Sequence, residues 1–225
     1  MLPEGLSDAK FTGHALKDTP FSLFLTSDLI RAVQTANIIH NENIYNHLSP
    51  LEESILLREM NFGLREGHSK SITTKDARIL YATKNNIPTS DVRDWAETEN
   101  DLHLRQSELI EYIHSKLTNT NHISNNNNND NNNNDNSENI NGNTDSNNNS
   151  IHHNILLVSH GAYIRRFLTN FCSIKGIHSI LNCSITKVDV YYNKKNNKFT
   201  YHINDIAKDL NSVAHLPITE KESEL

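Results

Sequence analysis

Apolar residues along this chain recur with two periods, and each change of period marks an element. From Phe21 to Leu25, FSLFL alternates into an apolar strand. Behind it, TSDLIRAVQTANII sets Leu29, Val33 and Ala36 at helical spacing, with Thr26 and Ser27 as capping candidates, so the pattern predicts a strand, a tight turn and a helix. Farther on, ETENDLHLRQSELIEYIHSKL places Leu102, Leu109, Ile110, Ile113 and Leu117 on one face of a long amphipathic helix, and Thr98 and Asp101 have the spacing of a capping box. The run ILLV from Ile155 to Val158, closed by Gly161, has the pattern of an interior strand. AYIRRFLTNF then continues as a helix with Tyr163, Ile164, Phe167, Leu168 and Phe171 inward. Two alternating runs, KVDVYY (Val188, Val190, Tyr192) and FTYHI (Phe199, Tyr201, Ile203), are joined by NKKNNK and predict a hairpin.

Composition changes the picture between the long helix and the ILLV strand. Sixteen of the 25 residues from Asn125 to Asn149 are asparagine, whose side chain competes with its own backbone and offers no apolar surface to bury. Residues 121–150 are therefore expected to form a disordered insertion. Loop-closure entropy rises by only about 0.6 kcal/mol per doubling of length, so a fold tolerates it. The flanking parts, 1–120 and 151–218, are expected to make one domain, with 219–225 a flexible tail. Of the formal net charge of -6, four acids (Asp130, Asp135, Glu138, Asp145) lie in the insertion, so the remainder carries only -2. No basic field points to nucleic acid or to a membrane surface. Two cysteines, Cys172 and Cys183, are too few for a disulfide framework. With no secretory leader pattern at MLPEGLSD and no run of membrane-spanning length, the sequence reads as a soluble cytoplasmic protein of undetermined oligomeric state.

Three places carry candidate chemistry. His160 follows an apolar strand and precedes a helix amino terminus, where unpaired amides favour an anion, although a lone histidine there also suits a structural role. Arg31, one turn into a helix that itself follows a strand, can fork onto phosphate oxygens or lie on a solvated face. LREMNFGLREG, Leu57 to Gly67, mixes acids with two glycines and fits an irregular loop over a cleft. Glu59 within it suits a general acid or a surface carboxylate. No G-x-x-x-x-G-K-[ST] loop is present, no arginine stands six positions after either cysteine, and Ser159 lacks a G-x-S-x-G elbow. The 13 histidines show no zinc-binding spacing, so no metal or other cofactor is expected.

Taken in order, LFLTSDLIRAVQTA, LREMNFGLREG and ILLVSHGAYIRR resemble the histidine phosphatase superfamily, whose fold phosphoglycerate mutases share, and most closely its fructose-2,6-bisphosphatase branch. LSD at Leu6 and AETENDLHLR at Ala96 are similar to further segments of that family. The resemblance implies a three-layer α/β/α fold with a mostly parallel sheet. It also implies a phosphomonoester hydrolase acting through a phosphohistidine on a small phosphorylated metabolite, such as a sugar bisphosphate. Carried over by motif, Arg31 and His160 would bind phosphate and Glu59 would protonate the leaving oxygen, which makes Glu59 and His160 the catalytic candidates. The family's nucleophile belongs to an Arg-His-Gly motif ending its first strand, and no arginine in this chain is followed by histidine. The expected sheet therefore lacks its first strand and the expected chain its nucleophile. The alternative is a phosphate-binding relative without turnover, or a partner-binding module.

Overall fold

The computed structural model of the chain describes residues 2–69, 71–126, 152–205 and 209–216. The bulk of the asparagine insertion and the tail lie outside them. A central sheet holds three parallel strands, β1 (Leu23–Ser27), β2 (Leu51–Ser54) and β3 (Ile155–Val158), in the order β2-β1-β3. Register pairs Phe24 with Leu51 and with Leu156, and Thr26 with Val158. Parallel pairing demands long crossovers, and the helices supply them.

Strand alternation sorts the core into two faces. Phe24 turns to one side, where it packs with Phe21, Ala36 and Ile39 beside Leu156 and Val158. Helices α1 (Pro3–Ala15) and α2 (Ile30–Glu42) cover that side. They approach closely because of Gly13, where an added Cβ would lie 2.9 Å from the Glu42 side chain. Leu23 and Leu25 turn to the other side, with Leu57, Leu102, Leu109, Ile113 and Tyr163. There α4 (Glu99–Asn126) and α5 (Gly161–Phe171) form the third layer. A fully buried leucine stabilises by roughly 1.5–3 kcal/mol, and this face of the sheet holds five that are at most 5% exposed, Leu23, Leu25, Leu57, Leu102 and Leu109. The three-layer α/β/α architecture is the one expected.

Two smaller units flank it. Between β2 and α4, short turns lead to α3 (Thr74–Asn85), whose Ala77 and Ala82 pack with Leu64 and Val92. Gly63 holds the preceding loop at φ +58°, and a Cβ there would meet the Ala96 backbone nitrogen at 2.6 Å, so only glycine fits. The predicted hairpin, β4 (Asp189–Asn193) and β5 (Lys198–His202), pairs antiparallel. It leans on α4 and α5 through His114 against Tyr192 and through Phe171 against Tyr201.

Several boundaries and faces differ from the sequence pattern. The first strand begins at Leu23 rather than Phe21 and runs to Ser27, because the polar Thr26 and Ser27 continue the β1 ladder and are fully buried. Neither is the cap of α2, whose N-cap is Leu29 without a side-chain bond. Its buried positions are Ala32, Ala36 and Ile39, not Val33. Helix α4 continues to Asn126, inside the stretch assigned to the insertion. Val190 is 47% exposed, since only Tyr192 of its strand leans inward far enough to reach the helices. The capping box is present: Thr98 Oγ1 accepts the Asp101 amide at 3.1 Å and Asp101 Oδ2 accepts the Thr98 amide at 3.1 Å.

Candidate active site

At the carboxyl ends of β1 and β3 the chain turns into α2 and α5, and the three candidate residues gather there. His160 is the N-cap residue of α5, with extended backbone (φ -121°, ψ 159°), and is only 7% exposed. Ser27 continues the inward row of Leu23 and Leu25, which brings its Oγ within 2.9 Å of His160 Nε2. Ser27 Oγ also accepts the Leu29 amide at 3.2 Å, closing the turn into α2.

Arg31 lies in the first turn of α2, exposed, and its guanidinium has no hydrogen-bond or ion-pair partner among the described residues. Its charge reaches the histidine: burial first, then Arg31, then Arg105 push the His160 pKa down to about 4, while Asp28 pulls weakly the other way. The ring is therefore neutral at pH 7. Asp28 itself is held low by its bidentate pair with Arg58, Nε to Oδ1 at 2.8 Å and Nη2 to Oδ2 at 2.5 Å. That pair ties the β1–α2 turn to the loop that carries Glu59.

Glu59 is half-buried, and its Oε1 accepts two amides at 3.0 Å, those of Met60 and of Tyr163 in the first turn of α5. Its Oε2 has no protein partner among the described residues. The neighbouring amides of Gly161 and Ala162 are likewise unpartnered, so the helix presents two free N–H groups beside the histidine. Arg31, Glu59 and His160 thus come together as the sequence led us to expect. Free amides, a guanidinium and a neutral imidazole meeting at one place accept a tetrahedral anion.

The loop is braced from below by a residue the sequence pattern did not single out. Arg105 of α4 donates to the carbonyls of Leu56 (3.1 Å) and Arg58 (2.8 Å) and pairs twice with Glu97 at 2.8 Å. Its guanidinium also sits 5.1 Å from the centre of the Tyr163 ring. Arg105 closes the AETENDLHLR segment, and that likeness to the family was the signal that could have found it. Ser27, Asp28 and Arg58 adjoin motif residues, and Ser27 was visible only as a capping candidate. Among the described residues no three His, Cys, Asp or Glu side chains cluster to hold a metal, and no helix is long and apolar enough to cross a membrane. Cys172 and Cys183 are free, with thiol pKa values raised by burial.

β3 is an unusual edge. All five residues of β1 are buried, yet Ile155, Leu156, Leu157 and Val158 are each only part-buried, and β3 pairs on one side alone among the described residues. Its edge carries none of the charges, prolines or bulges that usually protect such strands. The opposite edge, β2, carries Glu52 and Glu53, with Glu52 engaged by Lys116 and Tyr112.

Comparison with known proteins resolves the family. Residues 1–123 match the family described as the histidine phosphatase superfamily (branch 1). The chain belongs to that superfamily. Within it, 66 residues are 39% identical to fructose-2,6-bisphosphatase TIGAR B of Danio rerio, a match that takes in 29% of this chain and 26% of that protein. As a histidine phosphatase fold, the structure is similar to Bacillus stearothermophilus YhfR, with a TM-score of 0.59, 17% identity, and coverage of 96% of this chain and 86% of that one. It is also similar to phosphoglycerate mutase from Bacillus anthracis str. Sterne, with a TM-score of 0.57, 22% identity, and coverage of 92% and 82%. These likenesses support the expected phosphoglycerate mutase-like architecture.

Proposed function

We propose that this site belongs to a phosphomonoester hydrolase working through a phosphohistidine, with a small sugar phosphate such as fructose-2,6-bisphosphate as the substrate class. The observation that carries the reading is the meeting of Arg31, Glu59 and His160 at the ends of two adjacent parallel strands. In phosphoryl transfer the charge spreads over the equatorial oxygens, and most of the catalysis is positioning and charge stabilisation. Arg31, the His160 ring and the free amides of α5 supply that stabilisation. Glu59 gives a proton from Oε2 to the departing alkoxide as the phosphorus–oxygen bond breaks. When water then attacks the phosphohistidine, the same oxygen takes the water's proton, which releases phosphate and restores the acid.

The nucleophile in this reading is a histidine on an added strand. The open apolar edge of β3 supports that assignment, because a strand laid there would end beside His160. Among the histidines that follow a glycine, His14 and His68 are both exposed and outside the site. A second reading, a phosphate-binding protein without turnover, is favoured for these 225 residues by the absence of any Arg-His pair. In either case the ligand is a small phosphorylated metabolite, in a cytoplasmic setting.

The sequence upstream of Met1 in the genome separates the two. An in-frame apolar strand ending Arg-His-Gly, with acid-labile label on its histidine after incubation with phosphate-labelled substrate, supports the enzyme. A stop codon immediately before Met1, with phosphate binding but no hydrolysis, supports the binder. Hydrolysis of fructose-2,6-bisphosphate at enzymatic rates by the 225 residues alone would contradict the placement of the nucleophile.

A further inference from the structure

His160 has two ring nitrogens, and the structure gives a partner to one. Nε2 faces Ser27 Oγ at 2.9 Å, whereas Nδ1 has no partner among the described residues. Neutral imidazole donates from one nitrogen and accepts at the other, so the partner decides which is which. Ser27 is fully buried, and its hydroxyl already accepts the Leu29 amide. Were the ring proton on Nε2, Ser27 Oγ would accept a second time and its own proton would lack an acceptor in a dry setting. A buried donor left unmade is the expensive case. With Nε2 bare, Ser27 donates to the ring, accepts from Leu29, and both groups are satisfied.

We propose that Ser27 is the positioning residue that fixes His160 as its Nδ1–H tautomer, so that the histidine meets an anion with a hydrogen-bond donor rather than a lone pair. This deepens the phosphate-site reading and rests on it. A phosphoryl oxygen is an acceptor, and a bare Nδ1 would repel it. The charged groups acting on the ring are Arg31 from α2, Arg105 from α4 and Asp28 from the β1–α2 turn, while the nearby Glu59 and Arg58 are tied to the Tyr163 amide and to Asp28. Only Asp28 opposes the neutral ring, and Arg58 engages it.

Nitrogen-15 NMR of the full chain labelled at histidine tests this near neutral pH, with the His160 signals identified by their loss in His160→Gln. The expected spectrum has a protonated Nδ1 and a bare Nε2, and inorganic phosphate moves the Nδ1 signal without changing the tautomer. In Ser27→Ala the ring shifts toward Nε2–H and phosphate binds about tenfold more weakly, the scale of one well-placed hydrogen bond. Ser27→Thr, which keeps a hydroxyl, restores both. A wild-type proton on Nε2 overturns the proposal, as does an unchanged tautomer in Ser27→Ala. If that variant does not fold, the wild-type spectrum decides alone. A wild-type chain with Nδ1–H that binds no phosphate sinks the phosphate-site reading and leaves the tautomer assignment standing.

Discussion

Glu59 Oε1 accepts the amide of Tyr163 at 3.0 Å, so one hydrogen bond joins the acid on the loop to the helix that begins beside His160. An acceptor oxygen suffices for that bond, while proton transfer needs an ionisable group. Glu59→Gln is therefore expected to keep the stability of the wild type to within about 0.5 kcal/mol, and Glu59→Ala to lose about 1–2 kcal/mol by stranding the Tyr163 amide. Urea unfolding of the two variants checks the difference. A loss under about 0.5 kcal/mol in Glu59→Ala as well would show that the bond contributes nothing.

Arg105 is expected to matter more to the fold than any other charged residue near the site. It satisfies carbonyls in the loop before Glu59, and its pair with Glu97 is largely shielded, at 17% and 14% side-chain exposure. Arg105→Met leaves Glu97 without its cation and those carbonyls without a donor, a loss of about 2–4 kcal/mol in urea unfolding. Arg105→Lys should recover part of it, since an ammonium keeps the charge and lacks the fork. A loss under about 0.5 kcal/mol for Arg105→Met would remove the brace from the account.

Much of this arrangement was legible in the sequence, β2 and α3 excepted, and the misplaced residues each have a physical cause. Periodicity found β1, α2, α4, β3, α5 and the hairpin, because each buries one apolar face and the pattern records it. The motifs placed Arg31 and His160 together because each stands where a strand hands over to a helix, and Glu59 joins them from the loop bonded to α5. Thr26 and Ser27 were misread as caps because a polar residue at full burial leaves no trace in a hydropathy pattern. Arg105 was missed for a related reason: its partners are backbone carbonyls 47 and 49 residues away in sequence, and carbonyls have no residue identity. Val33 was placed inward where Ala32 and Ile39 are, since spacing fixes a face only to within about one residue.

Burial of His160 makes stability depend on acid. Its folded pKa, about 4, lies below the ordinary value of 6.5, so the unfolded chain binds the proton more tightly. The contribution is fully present above pH 6.5 and is lost as the pH falls from 6.5 toward 4, up to about 3 kcal/mol in total. His160→Gln should flatten the stability profile across that window, with the carboxylates left to act at lower pH. Parallel profiles for wild type and variant between pH 6.5 and 4.5 would contradict the burial argument.

Asp28 places a negative charge beside a site read as binding anions. Asp28→Asn frees Arg58 and removes the repulsion, and inorganic phosphate is expected to bind about threefold more tightly or better, as for one charge near a protein surface. Isothermal titration at low salt provides the comparison. Weaker binding in Asp28→Asn would mean that the ion pair shapes the site more than its charge opposes the ligand.

Titration of the full chain with inorganic phosphate, followed through backbone amide signals, tests the central claim most directly. Saturable shifts are expected at Gly161, Ala162 and the Ile30–Arg31 turn, abolished in Arg31→Met and in His160→Gln while both variants stay folded. Shifts centred elsewhere, or binding untouched by both substitutions, would contradict it.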